Sequence, residues 1–250
     1  PHPMHYGNAL LALEHDKPAL VEKPFTMNAQ EATALVAVAR KRGLFLMEAM
    51  WTRFLPHVVA IRELLSQRAL GEIVFLEADH GQWFDQRLDF RLFAPELGGG
   101  ALLDLGVYPV SFASMVLGTP SRVTAMIEPA FTGVDGTTSM IFGYDRGAQA
   151  LLTCTSLARS STRASIVGTD ARLDVEGDFY APTSFSLTTR ATHLSERFEI
   201  TTRGRGLHYQ ATEVARCLRS GLTESTAMPL HETISIMETI DQVLRFMSSP

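Results

Sequence analysis

Ala19-Leu20-Val21-Glu22-Lys23-Pro24 is a short apolar run that ends on an acid, a lysine and a proline. The run reads as a buried parallel strand, with the Glu-Lys-Pro tripeptide at its carboxyl end. In open α/β sheets ligands bind just beyond that end of the strands. A lysine is unusual there, because an unpaired ammonium is costly to bury. On its own Lys23 reads better as a surface lysine before a proline turn. A second segment shifts the balance. Gly98-Gly99-Gly100-Ala101-Leu102-Leu103-Asp104-Leu105-Gly106-Val107-Tyr108-Pro109 places an acid and a phenol at i and i+4 on an expected helix.

Working outward, residues 1–50 follow a βα rhythm. Residues 5–15 read as a helix and 19–22 as a strand. Asn28-Ala29-Gln30-Glu31 has the capping-box form and opens a second helix, whose apolar stripe is Ala32, Leu35, Val36 and Ala39 and whose stop is Gly43. Residues 44–47, four apolar positions in a row, read as a strand covered on both faces. A helix over 58–65 follows, with Gly71 just beyond it.

After Gly71 the pattern changes. Residues 73–78 begin a series of strands, with further candidates at 122–128, 138–144, 163–167, 172–175, 185–189 and 197–201. Ala148, Ala150, Leu152 and Cys154 alternate with Gln149, Leu151, Thr153 and Thr155. That period of two marks a sheet with one apolar and one more polar face. Helices are expected over 101–117, 207–218 and 231–247. Helices on one face of a largely antiparallel sheet make an α+β domain. The fold class expected is therefore α/β plus α+β: an α/β part at 1–52, which the family resemblance given below makes part of a Rossmann domain, then an open, largely antiparallel sheet covered by helices on one face at 53–250.

The 250 residues carry a net charge of −5, with Lys and Arg scattered. A nucleic-acid stripe is not expected, nor is a membrane partner, since no uninterrupted apolar stretch approaches a span. The two cysteines, Cys154 and Cys217, lie far apart in apolar surroundings. They read as core thiols of a reducing, cytoplasmic compartment.

The two opening segments, with Met47-Glu48-Ala49-Met50-Trp51-Thr52-Arg53-Phe54 between them, resemble the Gfo/Idh/MocA oxidoreductases. The likeness is nearest to the branch of glucose–fructose oxidoreductase and dimeric dihydrodiol dehydrogenase. It rests on the Glu-Lys-Pro strand end, the Trp-Thr-Arg-Phe stretch and Asp-x-Gly-x-Tyr. It implies NAD or NADP as cofactor and a sugar, polyol or cyclic diol as substrate. It also implies association into a homodimer or higher homo-oligomer. By the same resemblance the loop of His2 and His5 runs beside the nicotinamide ribose, Glu22, Lys23, Pro24 and Arg53 belong with it to the cofactor site, and Asp104 lies in the substrate site. A Rossmann domain opens with a strand and a Gly-x-Gly-x-x-Gly turn. This sequence has no such turn, and the expectation is that on the order of 70 residues precede Pro1 in the family's layout.

The chemistry expected of these residues is proton transfer beside a hydride step. A free tyrosine, with a pKa of about 10, is too weakly acidic to act as a base near neutrality. An ammonium at ~4 Å, with an effective dielectric of ~20, favours a phenolate by about 4 kcal/mol, which is roughly three pKa units. Desolvation opposes that shift. Lys23 and Tyr108 are thus expected to work as a proton-shuttling pair, matching the roles the resemblance implies. Lys23 alone is the nearest variant, and a core tyrosine with its hydroxyl at the rim is the bland reading of Tyr108. Asp104 is expected to orient Lys23 or bind substrate hydroxyls, or else to be an ordinary first-turn aspartate. Pro109 is expected to kink the helix after Tyr108.

Trp51 is a candidate to stack on substrate, with core packing equally open. Arg53 is a candidate to hydrogen-bond the nicotinamide or substrate, or simply to solvate a helix start. Trp83, Phe84, Arg87 and Arg91 read more simply as loop residues than as pocket walls, and His80, His208 and His231 as structural. His2 and His5 lack a third partner for a metal, so none is expected. The alternative class is a non-catalytic sugar- or nucleotide-sensing binding protein on the same fold, by analogy alone.

Overall fold

The computed structural model describes residues 1–248. The chain opens with helix α1 (Met4–Glu14), strand β1 (Ala19–Val21), helix α2 (Ala29–Arg42) and strand β2 (Leu46–Glu48). β1 and β2 pair in parallel, Val21 opposite Glu48, so their carboxyl ends share one edge and Lys23 follows directly. Asn28 caps α2 by accepting the Glu31 N–H at 2.9 Å, a cap worth about 1 kcal/mol. The Glu31 carboxylate reaches back to the Met27 N–H at 3.1 Å, one residue before the reciprocal capping-box position. Ala32, Leu35, Val36 and Ala39 are buried, and Gly43 ends the helix in the left-handed conformation at φ 63°. Strand β1 is less enclosed than expected, with Leu20 37% exposed.

A 3₁₀ turn (Trp51–Phe54) and helix α3 (Pro56–Ser66) lead into the large sheet. Its strands are β3 (Ile73–Gly81), β4 (Arg122–Pro129), β5 (Asp135–Gly143), β6 (Gln149–Thr155), β7 (Ala164–Gly168), β8 (Ala171–Val175), β9 (Phe185–Thr189) and β10 (Ser195–Phe198). Their order in space is β10-β9-β8-β7-β3-β6-β5-β4. Only β3 and β6 run parallel within it. The alternation on β6 holds: Ala150, Leu152 and Cys154 are buried while Leu151 faces out. The last strand starts earlier than the expected 197–201, because hairpin register sets Phe198 opposite Phe185, where the rings stack at 4.7 Å.

Helices α4 (Val107–Leu117), α5 (His208–Arg219) and α6 (Leu230–Leu244) complete the fold. α4 lies across β3 and β6, and α6 packs on both α4 and α2. One apolar core therefore runs from the two-stranded sheet to the large one. Pro95–Leu117 is long and apolar enough by composition to cross a membrane, but Glu96 and Asp104 interrupt it and most of it is buried inside the fold.

The expected single helix over 101–117 is a π turn at Leu102–Gly106 followed by α4. Such turns are rare and cluster at functional sites. Asp135 of β5 caps the turn by accepting the Leu102 N–H at 2.5 Å. Gly100, at φ 123°, has no room for a Cβ against that carboxylate. Burial pushes the Asp135 carboxyl up to about 7.

Candidate active site

Lys23 leaves the carboxyl end of β1 and meets the π turn. Its ammonium donates to the Asp104 backbone carbonyl at 2.7 Å and to Asp104 Oδ1 at 2.9 Å. Arg91, from the loop before the glycine run, donates to both Asp104 oxygens at 3.2 and 3.3 Å. His2 Nε2 stands 3.6 Å from the same carboxylate, and its Nδ1–H donates to the Gly98 carbonyl at 2.9 Å. Asp104 is only 6% exposed. Burial alone would raise its pKa, but His2, Lys23 and Arg91 together outweigh that and hold the carboxyl well below the usual range. His5 lies edge-on to His2, with ring centroids 5.6 Å apart. Its Nδ1–H donates to the Pro24 carbonyl at 2.7 Å. The Lys23–Pro24 peptide is cis.

Tyr108 lies in a different environment. The Lys23 ammonium sits over the face of its ring, 5.0 Å from the centroid. Its hydroxyl accepts from Trp51 Nε1–H at 3.1 Å. His80 and Tyr180 close on the ring at 5.2 and 4.9 Å. Here the structure corrects the expected electrostatics. Burial pushes the phenol pKa up rather than down, the Trp51 hydrogen bond opposes it only in part, and the Asp104 charge adds to the rise. The ammonium is committed to Asp104 and approaches the ring face, so in this arrangement it does not hold a phenolate.

Lys23, Asp104, Tyr108, Trp51, His2 and His5 are thus brought together, and Pro24 adjoins them through His5. Glu22 is solvent-exposed at the rim. Arg53 is a correction. Its guanidinium is 3% exposed, donates to the Ser111 carbonyl at 2.7 Å and pairs with Glu232 at 2.6 Å. It braces α4 against α6 and is not available to a nicotinamide. Arg91, His80 and Tyr180 are the residues that sequence reasoning set aside or missed. Each reaches the site across a long loop or a sheet crossing, and no local spacing signals that.

The Lys23 ammonium and the His2–His5 pair stand at the carboxyl ends of parallel strands. Their donors suit the hydroxyls and carboxamide of a nicotinamide riboside. The sequence holds no Gly-x-Gly-x-x-Gly turn for a pyrophosphate.

Comparison with known proteins agrees with this layout. Residues 1–50 match the family model described as an oxidoreductase family with an NAD-binding Rossmann fold. Residues 58–174 match the GFO/IDH/MocA C-terminal domain. The chain is 38% identical over 254 residues to trans-1,2-dihydrobenzene-1,2-diol dehydrogenase of Xenopus tropicalis, covering 98% of this chain and 75% of that protein. The Sus scrofa enzyme of the same name is 36% identical, with 97% and 74% covered. Among solved structures, the fold is shared with aldose–aldose oxidoreductase from Caulobacter crescentus complexed with glycerol. That match has a TM-score of 0.89 at 19% identity and covers 99% and 75% of the two chains. A 3-ketoreductase from Actinomadura kijaniata, in complex with NADP and TDP-benzene, matches with a TM-score of 0.85 at 25% identity, covering 98% and 75%. The chain belongs to the Gfo/Idh/MocA oxidoreductase family, whose members use a nicotinamide cofactor.

Proposed function

We propose that this NAD(P)-dependent oxidoreductase interconverts a carbinol and a carbonyl on a sugar, polyol or cyclic diol, with Tyr108 as the proton carrier and Lys23 as its electrostatic partner. The observation that carries this reading is the convergence of Lys23, Asp104 and Tyr108 at the carboxyl ends of the parallel strands. The names of the relatives support a diol or sugar substrate.

The cofactor, when bound, supplies or accepts the hydride. Lys23, His2, His5 and Pro24 are the residues that would flank its nicotinamide end. The chain's own residues manage the proton. In the reducing direction the neutral Tyr108 hydroxyl gives its proton to the substrate oxygen. In the oxidising direction it receives that proton after passing its own to solvent. The phenolate formed in between is stabilised by the Trp51 N–H that its oxygen accepts. Asp104 fixes the ammonium so that it faces the ring. Trp51 walls the pocket on which substrate packs.

The division into a dinucleotide part at 1–52 and a substrate part at 53–250 belongs to the same proposal. So does placement in the cytoplasm, which the two buried free thiols favour. A homodimer or higher homo-oligomer is proposed as well. The uncovered sheet face carries a broad groove of about 970 Å³ and exposes Met126, Ile141 and Leu151. Light scattering on the full-length protein at tens of micromolar tests this, and a clean monomer would contradict it. The test of the catalytic reading is Tyr108→Phe, which keeps the ring and removes the transferable proton. Turnover should fall by ~10²–10⁴ with little change in substrate binding. Turnover held within about threefold would rule Tyr108 out.

A further inference from the structure

We infer that Tyr180 is a specificity-determining residue whose hydroxyl donates a hydrogen bond to a substrate oxygen on the carbon next to the reacting one. The inference rests on the reading of Tyr108 as the proton carrier and adds to it a reason for preferring vicinal diols over simple alcohols.

The direction of each hydrogen bond follows from one residue. Pro109 has no N–H to offer the carbonyl of Leu105, four positions back in the chain, and a backbone N–H at the end of the π turn takes only one side of that oxygen. His80, fully buried on β3, approaches that carbonyl with Nδ1 at 3.2 Å. A carbonyl only accepts, so Nδ1 carries the hydrogen. Burial, with the Lys23 charge adding to it, lowers the His80 pKa to about 4, so the ring is neutral and Nε2 is bare. Bare Nε2 accepts, and the group facing it at 3.0 Å is the amide nitrogen of Gln82. The same nitrogen lies 2.9 Å from the Tyr180 hydroxyl and gives it the second amide hydrogen. The Tyr180 oxygen is therefore an acceptor toward Gln82, and its own hydrogen turns away.

The Tyr180 ring itself stands at the reacting end of the site. The Tyr180 ring lies 4.9 Å from Tyr108 and 6.2 Å from Trp51, and it stacks on His80 at 4.3 Å. Among the described residues no acceptor takes the Tyr180 hydrogen. Thr52 Oγ1 holds the backbone carbonyl of Tyr180 at 2.7 Å, which fixes the loop that carries it. Burial, the Asp178 charge and Tyr108 push the Tyr180 pKa up, with Gln82 opposing, so the group stays a donor across the working pH range. Two phenols thus stand side by side with different tasks. Tyr108 exchanges a proton with the reacting oxygen, and Tyr180 keeps its proton and marks the neighbouring oxygen.

The experiment is calorimetric titration of the full-length protein, saturated with oxidised cofactor, with the vicinal diol of cyclohexane and with cyclohexanol. The wild type should bind the diol about 3–10-fold more tightly, the value of one neutral hydrogen bond. Tyr180→Phe should erase that ratio. Gln82→Leu, which removes the group that orients the hydroxyl, should reduce it. Absence of a preference in the wild type, or its survival in Tyr180→Phe, would overturn the inference. Turnover is followed in the same samples. Loss of the ratio in Tyr180→Phe with no turnover in the wild type would keep the role of Tyr180 and strike out that of Tyr108.

Discussion

Asp104 and Tyr108 lie four residues apart on one segment, and their surroundings push them in opposite directions. Asp104 is buried among cations, with the Lys23 ammonium at 2.9 Å and Arg91 on both oxygens. Its charge is held. Tyr108 is buried to a similar degree among aromatic rings and one indole N–H. Its neutral form is held. One helical turn therefore carries a fixed charge and a fixed proton. The comparison teaches that depth of burial does not set the ionisation state; the partners found at that depth do.

Beside the loss of the Tyr108 proton itself, breaking the charged half should produce the largest effect. Lys23→Met removes the cation shared by Asp104 and the Tyr108 ring, and turnover is expected to fall by ~10²–10³. The same variant tests the sign of the Asp104 shift. Its folded pKa lies below its unfolded value near 3.9, so the stabilisation is complete above that pH and is lost as pH falls toward the folded value. The melting-temperature gap between wild type and Lys23→Met should be widest at neutral pH and narrow below about pH 4.

Glu48 sharpens the comparison from the other side. It is fully buried at the end of β2, and neither carboxylate oxygen has a hydrogen-bond partner. Burial, opposed by Arg53, pushes its carboxyl from 4.5 up to about 7. A carboxyl raised on folding opposes stability as pH climbs from its unfolded toward its folded value. Glu48→Gln should therefore leave stability nearly unchanged at pH 4 and raise it at pH 8, by on the order of 2–3 kcal/mol. Thermal unfolding at the two pH values checks this. A variant equally affected at both would show that Glu48 is paired in a way this geometry does not contain.

Arg91 should give the smallest effect. It is 46% exposed, so its ion pair with Asp104 contributes under ~1 kcal/mol to stability. Arg91→Ala is expected to cost about 3–5-fold in kcat/KM by loosening Asp104, with the melting temperature nearly unchanged. A loss as large as that of Lys23→Met would move Arg91 into direct contact with substrate.

The sequence makes the local parts of this molecule legible. Asn28, Glu31 and Gly43 announce the ends of α2, and Ala150, Leu152 and Cys154 announce the buried face of β6. Each signal lies within a few residues of what it specifies. Lys23, Asp104 and Tyr108 could be brought together only by adding the family resemblance to their spacing. The rest of the site depends on pairings set by tertiary packing. Gln82 finds Tyr180 across 98 positions, Trp51 finds Tyr108 across 57, and Arg53 finds Glu232 across 179. Arg53 shows the hazard most clearly. A lone arginine beside a tryptophan reads as a ligand contact, and only the packing of α6 reveals its buried partner. The pKa expectation for Tyr108 failed for the same reason, since nothing in the spacing shows that Lys23 is already bound to Asp104.

The central claim is that these two halves form the proton-handling site of a dehydrogenase. It is tested most directly by following nicotinamide absorbance while the full-length protein meets a panel of cyclic diols and aldoses with NAD⁺ or NADP⁺. Absorbance should rise with at least one diol or aldose. Measurable binding of those ligands with no change in absorbance for either cofactor would contradict the claim and identify a sensing protein built on the same fold.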